Sequence, residues 1–333
     1  LATASHGVRG KPVQFDDPLV LAGVLGVIDE GAVAFVVSQM QSCGLVAVMS
    51  TDTELPKLAL TAKGWELLAE VEPAAITGID SAERVARWAV ILTALEVETR
   101  AVLRHIPSWE EKVVRDTVFY RGRFKDWDIA VAEVGAGNPR AAAIAERAIQ
   151  HFKPDVALFI GIAGGIKDVT IGDVVVATKV YGDESGKEDD CGFRFRPEVQ
   201  NTAHALEQRG RAIRLRPHWQ ERLSSSDGNR KPRIYVGPIA AGEKVIASSQ
   251  ARIAQLLRKH YSDALAVEME GRGFLEGVHI NVPVQGCVIR GISDLLEGKA
   301  DADAAGTQEV AADAASAVAF EMLATLPKEN AEQ

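Results

Sequence analysis

Cysteine is scarce in this sequence, with three in 333 residues: Cys43, Cys191 and Cys287. An odd number with no CxxC pair excludes a disulfide framework and suits a reducing cytoplasm. Metal spacings are missing as well. The seven histidines (His6, His105, His151, His204, His218, His260 and His279) form no HxH, HExxH or paired Cys/His pattern, so no metal is expected. No stretch of about 18 uncharged apolar residues occurs, which argues against a membrane span. Positive charge is in deficit, with 37 basic residues against 46 acidic and a net charge of −9. That is the wrong sign for a chain-wide nucleic-acid footprint. No basic-then-apolar leader is seen, and a first residue of Leu1 rather than Met suggests a trimmed or partial chain.

What is present describes a soluble globular protein. Hydrophobic residues are 47% and charged residues 25%, with a mean hydropathy of +0.01. At roughly 100 to 200 residues per domain, the length predicts two domains.

Residues 1–15 carry Gly7, Gly10 and Pro12 without an apolar period, and read as a flexible tail. Residues 16–75 hold a helix start at Asp16-Asp17-Pro18, apolar positions from Leu25 to Met40 and a stop at Gly44. The extended runs Leu45–Val48 and Leu58–Thr61 follow, then a helix from Lys63 to Glu70. This order resembles the later part of a winged-helix domain. Residues 1–80 hold four basic and ten acidic residues, a balance that opposes holding phosphates and favours protein contact over DNA. Residues 76–87 read as a linker.

Over residues 88–328 short apolar runs alternate with helical ones, the pattern of an α/β domain, and the residues by themselves suggest a parallel sheet. Strands are expected at Ala89–Thr93, Trp127–Val134, Val156–Gly161, Asp173–Tyr181, Ile234–Gly237, Ala264–Glu268 and Val284–Gly291. Helices are expected at Val97–Arg104, Arg140–His151, Ser249–Lys259, Gly271–Gly277 and Thr307–Leu326. Over residues 183–233 the pattern lapses into a long connection with short helices of its own. From Cys191 to Arg233 it holds ten basic residues against four acidic, including Arg194, Arg196, Arg209, Arg211, Arg214 and Arg216. Such a segment is either a lid or binding loop, or a solvated arginine face.

Ligands of open α/β sheets bind beyond the carboxyl ends of the strands. Falling there are Glu96 and Glu98, the glycine stretches Gly135–Pro139 and Gly161–Gly165, Glu268-Met269-Glu270, and Ser293-Asp294. The glycine stretches read as turns that present backbone N–H groups to a ligand. Neither is a Walker loop or a GxGxxG fingerprint. Acidic groups on neighbouring strand ends can converge on one ligand.

Six stretches, taken in order, resemble the nucleoside phosphorylase superfamily, most closely the 5′-methylthioadenosine/S-adenosylhomocysteine nucleosidases. They are Ala94–Glu98; Gly135–Asn138; Lys153–Asp155 through Gly161–Gly165 to Gly172–Val176; Ala241-Gly242-Glu243 through Ile246; Val267–Glu270; and Arg290–Asp294. The resemblance implies a three-layer α/β/α fold with a mixed, partly barrel-like sheet, here preceded by the small winged-helix-like segment. It implies cleavage of the N-glycosidic bond of a purine nucleoside or nucleotide, without a cofactor, by a homo-oligomer. Glu98 then falls on the water-activating glutamate, Glu270 on the ribose-binding glutamate, and Asp294, beside Ser293, on the acid that protonates N7 of the base. Val245 and Ile246 fall on the segment that holds the base. Met269, Gly137, Ala163 and Gly164 are further candidate substrate-binding positions.

These roles suit the reaction. Breaking a C–N glycosidic bond leaves positive charge on the sugar, which carboxylates stabilise. A purine anion leaves poorly, so an acid must supply a proton, and burial or hydrogen bonding is what equips an aspartate for that. Two positions depart from the family: Ile162 replaces a serine, so that polar contact is absent or supplied elsewhere, and Val245 replaces the base-stacking aromatic, so either another aromatic such as Phe193 or Phe195 stacks on the base or the base site differs. Arg194 and Arg196 would suit a phosphorylated 5′ end. The rival readings are a phosphate-dependent phosphorylase and a non-catalytic nucleoside sensor.

Overall fold

The computed structural model describes residues 46–50, 57–60, 87–182, 185–190, 192–196, 198–224, 231–244, 250–295 and 306–327. The chain divides into two units, Leu1–Val85 and Ala86–Gln333. In the first, β1 (Val46–Ser50) pairs antiparallel with β2 (Lys57–Leu60), with Val46 opposite Leu60. These strands coincide with the two extended runs of the sequence. The helices expected around them, and the tail, lie outside the described residues.

The second unit is built on ten strands, which are β3 (Arg87–Thr93), β4 (Trp109–Val114), β5 (Thr117–Phe124), β6 (Trp127–Glu133), β7 (Val156–Gly165), β8 (Val174–Gly182), β11 (Glu198–Asn201), β12 (Ile234–Ala241), β13 (Ala266–Glu268) and β14 (Gln285–Leu295). A separate hairpin joins β9 (Gly186–Asp189) to β10 (Gly192–Phe195). In the large sheet β7 pairs with β14, β14 with β8, β8 with β12, β12 with β13, and β13 again with β7, so five strands close into a ring. From β7 the sheet continues through β3, β6, β5 and β4, while β11 extends it beyond β8.

The parallel sheet expected from the apolar runs is therefore a correction. β8 and β14 run antiparallel, as do β7 and β13. A strand covered on both faces is apolar along its length whichever way its neighbour runs, so the runs report burial and not direction. The β4–β5 hairpin is a second correction, since no strand was expected there. Five of the six residues of β4 are exposed, and Arg115 and Asp116 turn the chain with φ of 45° and 62° in place of the usual Asn-Gly.

Helices cover both faces. On one side α1 (Glu96–Leu103), α3 (His204–Ile213) and α6 (Thr307–Thr325) pack on Ile91, Ile129, Leu158 and Ile289. On the other, α2 (Asn138–Phe152) and α5 (Gly271–His279) pack on Leu92, Ala132, Phe159 and Val288. The alternation of side chains along each strand feeds both cores, giving the three layers. A smaller cluster seats α4 (Arg252–His260) against Ala240 and Val267. Helix α6 is buried at every position from Ala311 to Phe320, which its run of alanines allows by letting it lie close to the sheet. Among the described residues no helix is long and apolar enough to cross a membrane.

The long connection contributes the β9–β10 hairpin, the edge strand β11, helix α3 and a 3-10 turn at Pro217–Arg222.

Candidate active site

The second half of β7 is where the polar groups meet. Residues Gly161–Gly165, expected as a turn, continue the strand, because β13 and β14 give their backbone partners on either side. Glu98 approaches from α1. Its Oε2 accepts the N–H groups of Ala94 (2.7 Å) and Leu95 (2.9 Å), capping the first turn of its own helix. Its Oε1 accepts the N–H of Ile162 on β7 at 2.8 Å. The carboxyl is thus fixed on both oxygens in a position only 1% exposed. Gly161 makes this possible: a Cβ there would stand 2.6 Å from Glu98 Oε1 and against Arg290 Nη1.

Arg290, fully buried on β14, is the cation of the site. Its Nη2 donates to Glu268 Oε2 and, at 3.2 Å, to Glu270 Oε2. Its guanidinium lies 4.6 Å from the centre of the Phe159 ring. Glu268 also accepts the N–H groups of Glu270 (3.1 Å) and Gly271 (2.9 Å), which fastens the start of α5. Glu270 Oε1 accepts the N–H of Gly137 at 3.0 Å. Gly137 holds φ of 108°, open to glycine, and so turns its N–H toward that carboxylate at the N-terminus of α2.

One guanidinium facing three carboxyl groups sets the electrostatics. Burial pushes Glu98 above the ordinary glutamate range, against the pull of Arg290 and of its backbone donors. Glu268 is raised for the same reason, with Arg290 opposing and Glu270 adding to the rise. Burial alone would loosen the proton of Arg290, but Glu268, Glu270 and Glu98 outweigh it and hold the guanidinium charged. Its Nε and Nη1 find no hydrogen-bond partner among the described residues. They are donors available beside Glu98.

Asp294 lies on β14, 2% exposed, with Oδ1 accepting the Ser293 hydroxyl at 2.8 Å. Its Oδ2 faces Gly164, 3.3 Å from where a Cβ would be. Ala163 is buried between these contacts and Met269 is half-buried between Glu268 and Glu270. Glu98, Glu270, Ser293, Asp294, Gly137, Ala163 and Gly164 therefore gather around β7 and its neighbours. Val245 and Ile246 lie outside the described residues, as do the side chains of Phe193 and Phe195. Arg194 sits on β10 and pairs with Asp189 of the same hairpin at 3.1 Å. Arg196 is exposed, its backbone N–H donating to Ser185.

Three residues absent from the expected site belong to this arrangement. Arg290 and Glu268 stand inside motifs already singled out, and an arginine between Ile289 and Gly291 in an apolar strand is itself a signal, since buried arginines are paired. Asn138 gave less warning. It is 1% exposed, its Nδ2 donating to Gly242 O (3.2 Å) and Glu243 Oε1 (2.9 Å), and its Oδ1 accepting from Gly273 N (2.8 Å).

A model of the phosphorylase superfamily matches residues 89–326. A 5′-methylthioadenosine/S-adenosylhomocysteine nucleosidase of Staphylococcus aureus is 28% identical over 222 residues, 63% of this chain and 88% of its own. The solved structure of a Helicobacter pylori 5′-methylthioadenosine/S-adenosylhomocysteine nucleosidase is 26% identical, with a TM-score of 0.60 over 72% of this chain and 99% of its own. A futalosine hydrolase of the same organism has a TM-score of 0.61 over 73% of this chain and all of its own, at 22% identity, and shows likeness of fold alone.

Proposed function

Because the chain belongs to the phosphorylase superfamily, we propose that it is a purine nucleosidase, hydrolysing the N-glycosidic bond of an adenine-type nucleoside or nucleotide to release free base. The observation that carries this reading is the pair of buried carboxyl groups flanking one short piece of strand. Glu98 is bound to Ile162 and Asp294 faces Gly164, so about 7 Å of strand rise separates their anchor points. That leaves room for a sugar between a base on one side and an acid on the other.

In this reading Glu98 takes a proton from water as the water oxygen bonds to C1′. The C1′–N9 bond breaks, its electron pair passes into the purine, and Asp294 delivers a proton to N7. Each of these proton transfers contributes about 10²- to 10⁴-fold. Glu270, held by Gly137 and Arg290, meets the ribose hydroxyls and the positive charge that develops on the sugar. Ile162 offers only its backbone where the family has a serine hydroxyl, and Arg290 Nη1, close to Gly161 and Glu98 and unpartnered among the described residues, is our candidate donor to the nucleophile.

Hydrolysis is favoured over phosphorolysis on charge. A single guanidinium already donating to Glu268 and Glu270, with Glu98 beside it, provides no net positive field for a phosphate dianion. The test is chromatographic detection of free base from adenosine, inosine, methylthioadenosine, AMP and ATP, with and without phosphate. The wild type is expected to release base without phosphate and Asp294→Asn to lose at least about 10²-fold. Base release that requires phosphate, or that survives in Asp294→Asn, contradicts the reading. A preference for AMP or ATP that disappears in Arg194→Ala/Arg196→Ala would give those arginines the 5′ phosphate.

A further inference from the structure

The proposed reaction leaves much of the basic connection unexplained, and six of its described arginines fall into two groups. Arg194 pairs with Asp189, Arg211 with Glu207 and Arg222 with Glu321. Arg214, Arg216 and Arg233 are exposed and make no ion pair among the described residues. These three line one cleft of about 490 Å³, together with Leu215, Pro217 and Tyr235, and among the described residues no acidic side chain is in its walls. The cleft opens at the N-terminal end of β12, where Arg233 precedes Ile234. Gly242 and Glu243, which contact Asn138 of the candidate active site, follow the other end of that strand.

From this we infer that the cleft is a second ligand site, for a small phosphorylated molecule whose anionic groups meet Arg214, Arg216 and Arg233. Its volume falls within the roughly 300–1,000 Å³ of small-molecule sites. Its composition matches as well, with apolar and aromatic walls and a few charged groups of one sign. Guanidinium groups suit phosphoryl oxygens by geometry as well as by charge. The floor is fixed. Trp219 is 3% exposed and anchored in the core beneath α6, and Gln220 Nε2 donates to Pro232 O at 3.3 Å across the cleft. The backbone of Arg233 is held on both sides, its N–H donating to Asp173 Oδ1 (3.0 Å) and its carbonyl accepting from Val174 N (2.8 Å). The helix dipole accounts for a cation at Arg214, just past the end of α3, but not for Arg216 or Arg233. In a chain of net charge −9, three cations that make no ion pair among the described residues, around one concavity, form a focused field that an anion would enter.

Inorganic triphosphate is the probe, because it has neither base nor sugar and so does not test the nucleosidase reading. Calorimetric titration into the full chain is expected to give saturable one-to-one binding, weakened by added salt, and to raise the melting temperature. Arg214→Glu/Arg233→Glu is expected to weaken binding by about 100-fold or more. Arg214→Lys/Arg216→Lys/Arg233→Lys keeps the charge and is expected to keep most of the affinity, which separates loss of field from loss of fold. Comparing triphosphate with ATP then shows whether the apolar wall adds affinity through an attached ring. No saturable binding of triphosphate at millimolar concentration, or equal binding by the charge-reversed variant, overturns the proposal.

Discussion

Glu98 is held at both oxygens by backbone N–H groups yet buried away from water, and the second effect governs its titration. A general base must be ionised, so raising its proton affinity moves the acid limb of the rate profile upward. The expected kcat/KM of the wild type falls, as pH is lowered, at a higher pH than an ordinary glutamate near 4.5 would give. In Glu98→Gln the remaining activity is expected to lose that limb, and a pH–rate profile of both proteins checks it. The residues proposed to carry this chemistry stand in motifs at strand ends, which made them legible as candidates. Glu98, Glu270, Ser293 and Asp294 each appear beside a strand that the apolar runs reveal. The shared cation of the glutamates was not expected as a site residue: Arg290 donates to Glu268 and Glu270 across 22 and 20 residues of sequence and faces Glu98. Spacing along the chain says nothing of such a meeting until the ring of strands is closed.

At the scale of elements, Asn138 joins the start of α2 to the chain leaving β12 and to the first turn of α5. Removing its side chain leaves the buried Gly273 N–H without its acceptor and frees Gly242 and Glu243. Asn138→Ala is expected to lower stability by about 1–3 kcal/mol and to raise KM more than it lowers kcat. Urea denaturation and steady-state kinetics on one preparation check both. On the opposite face Asp313 of α6 binds Arg104 at the end of α1 (2.9 Å) and the Ser224 N–H and hydroxyl (2.8 Å each). It fastens the end of the long connection to the domain. Asp313→Ala is expected to cost about 1–2 kcal/mol, since the Ser224 groups it leaves can partly turn to water, with little change in KM. Elements built on apolar runs were readable, and elements built on exposed polar residues were not. The sequence of β4, WEEKVV, has a charged and exposed middle, and its pairing with β5 exists because β5 already borders β6.

Across the whole molecule, buried titrations link stability to pH, and among the described residues His105 is the one outside the candidate site that loses its charge on burial. His105 stacks on Phe320 with ring centres 4.5 Å apart, and burial lowers its pKa from 6.5 to about 4. Between those values the unfolded chain takes up a proton that the folded chain refuses. The contribution of His105 to stability therefore rises with pH through this window and is lost as pH falls below about 6.5, while the raised carboxyl groups of Glu98 and Glu268 contribute with the opposite sign. His105→Phe keeps an aromatic ring against Phe320 and removes the titration. The difference in melting temperature between variant and wild type is expected to grow in favour of the variant from pH 7 toward pH 4. A constant difference would show that His105 is not the group responsible.

If water, and not phosphate, attacks the sugar, turnover of the preferred nucleoside in water enriched in oxygen-18, followed by prompt mass spectrometry of the released sugar, is expected to show one heavy oxygen at C1′, free base in equal amount, and a rate indifferent to added phosphate. A sugar 1-phosphate as product, or base release only when phosphate is supplied, would contradict it.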